Sequence, residues 1–328
     1  MDSSDSKIYS LAGAISRFVK SGDHISLGGF TINRNPMAAV HEIIRQKVKD
    51  LHLYVHSNGQ GLDELVGAGA VRRVEAAYCG NGRFAPTCIC FRRACRDGEI
   101  LVEDYTNHQM ALRFLAGSMG VPFLPAMSSA GTDILHQQGF DKEVRNSDPA
   151  IPPAKLEVMD DPFARPGAVA DRVVLVPAVN PDVTLIHAQK ADMYGYTVIE
   201  GLTFSDAEQV KAAKKVIVTC EEIVGVESLK KRPQSVAIPG FCVDAVVEVP
   251  FGAYPTACYR YYDYDPVFLE WYRKTAAEAE TFSDYVNGFI HGTGDHDEYM
   301  EKTLAGKGAS VLLADPDKGY SVRIKRKS

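Results

Sequence analysis

Two adjacent glycines, Gly28 and Gly29, close the short apolar run that begins at His24, and Phe30 follows them. Such a pair lets the backbone turn sharply and present N–H groups to an oxyanion or a phosphate. Beyond the turn lies a polar loop with Thr31 and Arg34, then Asn35-Pro36, which reads as the cap and first residue of a helix. A helix N-terminus favours negative charge, so residues 24–42 read as the ligand end of a first βα unit. The competing reading is a tight turn that needs glycine only for packing. Two more apolar runs end in glycine-rich polar loops, Ser57-Asn58-Gly59-Gln60-Gly61 and Cys79-Gly80-Asn81-Gly82-Arg83. The amides of Asn58, Gln60 and Asn81 suit a carbonyl or carboxylate, and Arg83 suits an anion. Alone, such residues are also ordinary turn formers.

Other candidates are weaker. Glu221-Glu222 follows an apolar run and reads either as a catalytic carboxylate or as acid in the first turn of a helix. His187 and Gln189 close another run, where a histidine is usually a satisfied core residue. Cys79, Cys88, Cys90 and Cys95 cluster without zinc spacing, and His291, Asp295, His296 and Asp297 match no ligand motif, so no metal is expected. GxGxxG after the first strand, a P-loop lysine, GxSxG and HExxH are all missing, which excludes Rossmann cofactor binding, nucleotide hydrolysis and the familiar hydrolase nucleophiles. Anion-binding loops without a nucleophile beside a base describe half of an active site, with the other half supplied by a partner.

The elements that must position these loops alternate. Ser10 caps a helix with Leu11, Ala14, Ile15, Phe18 and Val19 on one face. Strands are expected over residues 51–55, 71–78, 121–126, 173–177, 183–188, 216–220 and 243–249, and helices over 109–119 and from a Ser205/Glu208 capping box to 214. In an open parallel sheet ligands gather beyond the carboxyl ends of strands, so the loops are expected to converge there. Residues 137–166, rich in proline and charge, read as an excursion, and the chain after 265 as mostly helical. The expected architecture is α/β, an open mostly parallel sheet flanked by helices, over 1–265, with a helical C-terminal extension over 266–328.

The 328 residues carry a net charge of -6, with no basic surface signature, so nucleic acid is not an expected partner. No apolar run reaches the ~20 residues of a membrane span, and the first ten residues lack the signal-peptide pattern. Seven cysteines, an odd number, fit reduced thiols, and a cytoplasmic protein is expected.

SGDHISLGGFTINRNPMAAVHEIIRQ, VPFLP, DVTLIHAQKAD, VTCEEIV, IPGFCVDAVVEVPFGAYPT and YDYDP, in this order over about residues 7–299, resemble the A subunits of the glutaconate CoA-transferase family. The GGF turn is shared more widely among class I CoA-transferase alpha subunits. The resemblance implies the CoA-transferase (NagB/RpiA-like) fold and a homologous B subunit, paired as AB and doubled to A2B2. It implies an active site between the two chains and a nucleophilic glutamate on B, so that Glu221-Glu222 loses its catalytic claim. The implied reaction is ping-pong: the glutamate attacks an acyl-CoA thioester, CoA thiolate attacks the resulting anhydride, and an incoming carboxylate reverses the sequence. A CoA thioester is then substrate, and no cofactor is permanently bound. Gly28, Gly29 and Phe30 would support the oxyanion, and Thr31, Arg34, Asn58, Gln60, Asn81, Gly82, Arg83, Asn107 and Gln189 would face the substrate.

The chain departs from that pattern at Asn81-Gly82-Arg83, where the family carries asparagine-serine-glycine; a hydroxyl is replaced by a guanidinium, which suits a changed acid. Two branches of the family do other chemistry. Ring-opening hydrolases of cyclic diketone CoA thioesters place a glutamate ahead of PFLP, where this chain has Asn107, with Glu103 and Asp104 nearby. Decarboxylases of glutaconyl-type thioesters use a cysteine on B. A scaffold that keeps the fold without a site is the reading outside enzymology, and the glycine loops argue against it.

Overall fold

The computed structural model describes residues 6–165, 171–305 and 308–326. The opening residues 1–5, the end of the expected excursion at Pro166 and the basic Lys327 lie outside them.

Helix α1 (Leu11–Phe18) is capped as the sequence suggests, with Ser10 Oγ accepting from Gly13 N at 3.1 Å. Then come β1 (His24–Leu27), α2 (Met37–Arg45), β2 (Leu51–Asn58), α3 (Gln60–Gly67), β3 (Val71–Cys79), α4 (Ile89–Asp97) and β4 (Leu101–Asp104). Next are α5 (Asn107–Met119), β5 (Phe123–Ala126), α6 (Lys142–Ser147), β6 (Glu157–Asp160) and β7 (Arg172–Pro177). The main sheet resumes with β8 (Val183–Ala191), β9 (Thr197–Val198), α7 (Asp206–Ala212), β10 (Lys215–Ile223), α8 (Val226–Lys230), β11 (Val236–Ile238) and β12 (Ala245–Glu248). Helices α9 (Pro266–Thr275), α10 (Ala279–Tyr285) and α11 (His296–Thr303) end the chain.

Seven strands run parallel in the order β12-β10-β8-β1-β2-β3-β4. Their apolar runs are buried on both faces, as a sheet covered by helices on each side requires: every residue of β1 is buried, and eight of the nine in β8. β1 stops at Leu27, and the far end of β8 instead pairs antiparallel with β9 through Lys190 and Ala191. The glycine turn therefore leaves the sheet where a neighbouring strand continues. Helices α9–α11 join the largest core through Phe268, Tyr272, Phe282, Tyr285 and Tyr299.

Several local expectations are corrected. β5 and β7 do not continue the main sheet; with β6 they form a separate antiparallel sheet in the order β5-β7-β6. Asn35 does not cap α2, which begins at Met37, because its side chain accepts from Gly61 N at 3.1 Å and so ties α2 to α3. Ser205 makes no cap bond either; the capping box is at Thr106 and Gln109 of α5. No helix among the described residues is long and apolar enough to cross a membrane.

Candidate functional site

Parallel pairing puts the loops after β1, β2, β3 and β4 along one end of the sheet. Gly29 takes a φ of 80°, and a Cβ there would lie 2.5 Å from the carbonyl oxygens of Asn33 and Arg34, so only glycine fits this close approach. The N–H groups of the turn are not free. Gly28 N donates to Leu185 O at 2.9 Å, Gly29 N to Asp206 Oδ1 at 2.9 Å, and Phe30 N to Asn33 O at 2.8 Å. In the chain by itself all three groups are therefore engaged within the fold.

Arg34 is engaged within the fold too. It is 2% exposed, and its guanidinium donates to Asp206 Oδ2 at 2.7 Å, His187 O at 3.0 Å and Leu202 O at 2.9 Å. Both oxygens of the fully buried Asp206 are thus engaged, one by the turn and one by Arg34. Asn58, also buried, donates from Nδ2 to Gly28 O at 3.1 Å and accepts at Oδ1 from Leu62 N at 3.0 Å, which binds the turn to the start of α3.

Gln60 and Asn81 form a relay. Asn81 Nδ2 donates to Gln60 Oε1 at 2.8 Å, and Gln60 Nε2 donates to Glu64 Oε1 at 2.7 Å. Glu64 Oε2 lies 2.9 Å from His41 Nε2 and accepts from Tyr285 OH at 3.0 Å. Asn81 Oδ1, by contrast, is buried with no partner among the described residues, and it packs so closely on Gly59 that a Cβ there would collide with it. Gln189 is fully buried and bonds the backbone of Glu200 and Tyr259, far from a solvent-facing role. Asn58, Gln60, Arg34 and Gln189 are thus all buried and bonded within the chain.

The residues left open at this end are Thr31, Gly82, Arg83 and Asn107. Thr31 is half-buried with a φ of 51°, and its N–H donates to Ser57 O at 3.0 Å. Gly82 has a φ of 55° and open space where a Cβ would stand. Arg83 is exposed, lies over the Phe84 and Tyr264 rings at 4.9 and 5.9 Å, and has no ion pair among the described residues. Asn107, at the start of α5, is exposed and accepts from Ser57 Oγ at 2.8 Å. Sequence reasoning missed two neighbours of this group. His56 falls between the expected strand 51–55 and the loop from Ser57 and is assigned to neither; its half-buried ring lies 5.8 Å from that of Phe30, and Phe30 stacks on Phe204 at 4.8 Å. Burial pushes the His56 imidazole below the usual histidine range, against a smaller upward pull from the Asn107 backbone and the Asp206 charge.

The carboxylates that might act as nucleophile or base are held elsewhere. Glu221 lies 2.6 Å from His187 Nε2, accepts from Tyr262 OH at 2.6 Å and from Phe251 N at 2.8 Å, and is buried. Glu103 is fully buried and takes both oxygens to Arg145, at 2.7 and 2.6 Å, so the hydrolase glutamate has no stand-in there. Asp104 pairs with Lys155 at 3.2 Å. Burial raises the thiols of Cys79, Cys88 and Cys90, which keeps them protonated and inert. Among the described residues the side-chain groups with metal-ligand spacing are His24/His52/Asp148 and His187/Glu221/Cys258, not the cysteine or His291–Asp297 clusters. The first faces Arg73 at 2.8 Å, which opposes a cation.

The Coenzyme A transferase family model matches residues 8–249, about three quarters of the chain. The chain belongs to this family. It is 39% identical over 317 residues to the A subunit of the glutaconate CoA-transferase of Acidaminococcus fermentans, covering 97% of this chain and 98% of that one. The crystal structure of glutaconate coenzyme A-transferase from the same organism superposes with a TM-score of 0.92, again over 97% and 98% of the two chains. The A subunit of a 3-oxoadipate CoA-transferase of Pseudomonas knackmussii is 33% identical over 92% of this chain and 99% of its own. A cholesterol ring-cleaving hydrolase subunit of Rhodococcus jostii is 26% identical over 88% of this chain and 93% of its own. The parallel sheet flanked by helices is thus the architecture of the CoA-transferase A subunits.

Proposed function

We propose that this chain is the A subunit of a heteromeric CoA-transferase, which moves CoA between an acyl-CoA and a carboxylic acid such as glutaconate or a related dicarboxylate. A homologous B subunit supplies the nucleophilic glutamate, and the pair assembles as AB, doubled to A2B2, in the cytoplasm. The acyl-CoA thioester is substrate, and the catalytic cycle needs no resident cofactor. One observation carries the reading: this end of the sheet exposes binding groups, while the nearby carboxylates are buried in ion pairs and hydrogen bonds. The reactive group therefore comes from outside the chain.

Within that reading the glycine turn supports the oxyanion indirectly. Held by Asp206 and Asn58, it sets Phe30 and Thr31 against the partner's face. Arg83, free of ion pairs among the described residues, takes the distal carboxylate, since its guanidinium can bind one bidentately. Asn107, Gly82 and Thr31 line the acyl path, and Asn81 fixes the loop that carries Gly82 and Arg83 through its bond to Gln60. Each half-reaction transfers an acyl or CoA group to and from the partner's glutamate; the residues of this chain bind, orient and exclude water.

The test uses the chain alone and the complex with its B subunit. The expected result is no turnover by the chain alone, transfer by the complex, and a CoA thioester on the partner's glutamate seen by mass spectrometry after incubation with acyl-CoA. Turnover without a partner, or transfer with no adduct, overturns the assignment.

A further inference from the structure

The run YDYDP, Tyr262 to Pro266, leads into α9, and its middle residue reaches back to the loop that follows β3. Tyr264 OH accepts from Arg83 Nη2 at 3.4 Å, the one hydrogen bond of that guanidinium among the described residues. The guanidinium carbon lies 4.9 Å from the centre of the Phe84 ring and 5.9 Å from that of Tyr264, and the two rings meet edge to face at 5.6 Å. Arg83 is thus seated in the corner of two aromatic rings, a contact that guanidinium groups favour. Both sides of this seat are anchored. Asp263 N donates to Leu312 O at 2.8 Å and Asp265 N to Pro255 O at 2.9 Å, while the Asp265 carboxylate caps α9 by accepting from Val267 N and Phe268 N at 2.9 and 3.0 Å. The loop is tied as well, with Asn81 N donating to Ala85 O at 2.8 Å and Phe84 N to Asn81 O at 3.2 Å. These bonds leave the direction of the exposed Arg83 side chain open, and Phe84 and Tyr264 supply it.

We propose that Tyr264 is a positioning residue: it fixes the reach of the Arg83 guanidinium and thereby sets the chain length of the dicarboxylic acid that fits. This rests on the CoA-transferase reading, in which Arg83 takes the distal carboxylate, and it names the residue that decides where that carboxylate must lie. An arginine free in solvent samples many rotamers, and holding it still when a ligand binds costs about two- to tenfold in affinity. A guanidinium already seated on two rings has lost that freedom before the acid arrives. The seat takes up the face of the group and one of its N–H donors, at a distance beyond the usual hydrogen-bond range, so the remaining donors can still form two parallel bonds to a carboxylate. A swinging guanidinium would meet acids of several lengths. A fixed one meets the distal carboxylate at one place only, and a methylene more or less misplaces it against a bidentate partner.

The test takes the AB complex with succinate, glutarate and adipate as acceptors, and the variants Tyr264→Leu, Tyr264→Phe and Arg83→Leu, with the double variant of Tyr264→Leu and Arg83→Leu. The wild type is expected to prefer one of the three lengths by about tenfold in kcat/KM. Tyr264→Leu, which removes ring and hydroxyl, is expected to raise the KM for that acid about two- to tenfold with kcat at saturation kept, and to flatten the length profile. Tyr264→Phe, which keeps the ring, restores most of both. In the Arg83→Leu background the same Tyr264 change is expected to have no further effect on KM, because Tyr264 acts through Arg83, whereas a merely structural role would show equally in both backgrounds. Calorimetric binding of the three free acids reads the same ratios without turnover, and the covalent CoA adduct judges the transferase reading separately. An unchanged KM and length profile in Tyr264→Leu overturns the proposal. So does the same loss in both backgrounds, and so does a wild type that neither binds nor turns over one length in preference to the others.

Discussion

Asp206 is the point at which the glycine turn is most sensitive to a single change. Its side chain is 0% exposed and that of Arg34 3%, so neither charge has water to fall back on. Asp206→Asn keeps the shape and one acceptor, but it leaves the Arg34 guanidinium buried against two backbone carbonyls only, His187 O and Leu202 O. Breaking a buried pair from one side costs about 3–5 kcal/mol, and the two remaining carbonyl bonds put the expected loss near the lower end, ~3 kcal/mol. For a chain of this size that is a fall in Tm of roughly 4 °C. Arg34→Met, which strands the carboxylate instead, should cost a similar amount. The double variant should cost less than the sum of the two by more than about 1.5 kcal/mol, because it removes both charges at once. Urea denaturation of the four proteins measures the cycle. Single changes below about 1 kcal/mol, or strict additivity, would show that the pair does not hold the turn.

Gly29→Val should lower turnover of the complex more than tenfold while the two chains still co-elute, since the new side chain would collide with the Asn33 and Arg34 carbonyl oxygens; wild-type rates would remove any role for the turn. Glu103→Gln strands Arg145 beside Pro152 O and should destabilise the chain by ~3 kcal/mol, read by thermal melting, with kcat of the folded complex unchanged. His52 supplies a pH test: burial lowers its pKa to about 4 from 6.5, so the unfolded chain takes up a proton first as pH falls. Its stabilisation is complete above pH 6.5 and is lost between 6.5 and 4, up to about 3 kcal/mol. Asp63, raised to about 6, acts in the opposite sense, so the measurement is the difference between wild type and His52→Gln from pH 7 to 4. Parallel profiles for the two proteins would refute the assignment.

The sheet was legible because its strands are apolar runs bounded by glycine and polar loops, and burial on both faces demands that pattern. Helix α4 was not, because its start is stabilised from far away: Asp63 of α3 accepts from Ile89 N at 3.2 Å and Phe91 N at 2.8 Å, a cap with no local signature. The same physics explains Asn35, whose side chain serves α3 in place of its own helix. At the site, position was readable and role was not. Asn58, Gln60 and Asn81 do stand at strand ends, yet a sequence does not reveal whether an amide there meets water or another buried amide. His56 escaped for a related reason: between Val55 and Ser57 it continues the strand, and only the third dimension brings Phe30 and Asn107 beside it.

The internal pairing of the acids also bears on the proposal that the nucleophile stands on a second chain. A carboxylate that attacks a thioester must keep a lone pair free and must not be stabilised as an anion. Asp206 is held by Arg34, Glu103 by Arg145, Glu75 by Arg113, and Glu64 by Gln60, His41 and Tyr285. For Glu75 the consequence is explicit: Arg113 and His52 outweigh burial and hold the carboxyl down to about 2, at the weakly basic end of the carboxylate range. Freeing any of these acids would strand its partner in the interior at several kcal/mol, a large fraction of the stability of a domain. A reactive carboxylate brought in on a second chain avoids that conflict. The frame can then be as rigid and as fully satisfied as Asp206 and Asn58 make it, while the unpaired acid meets the substrate only at the interface.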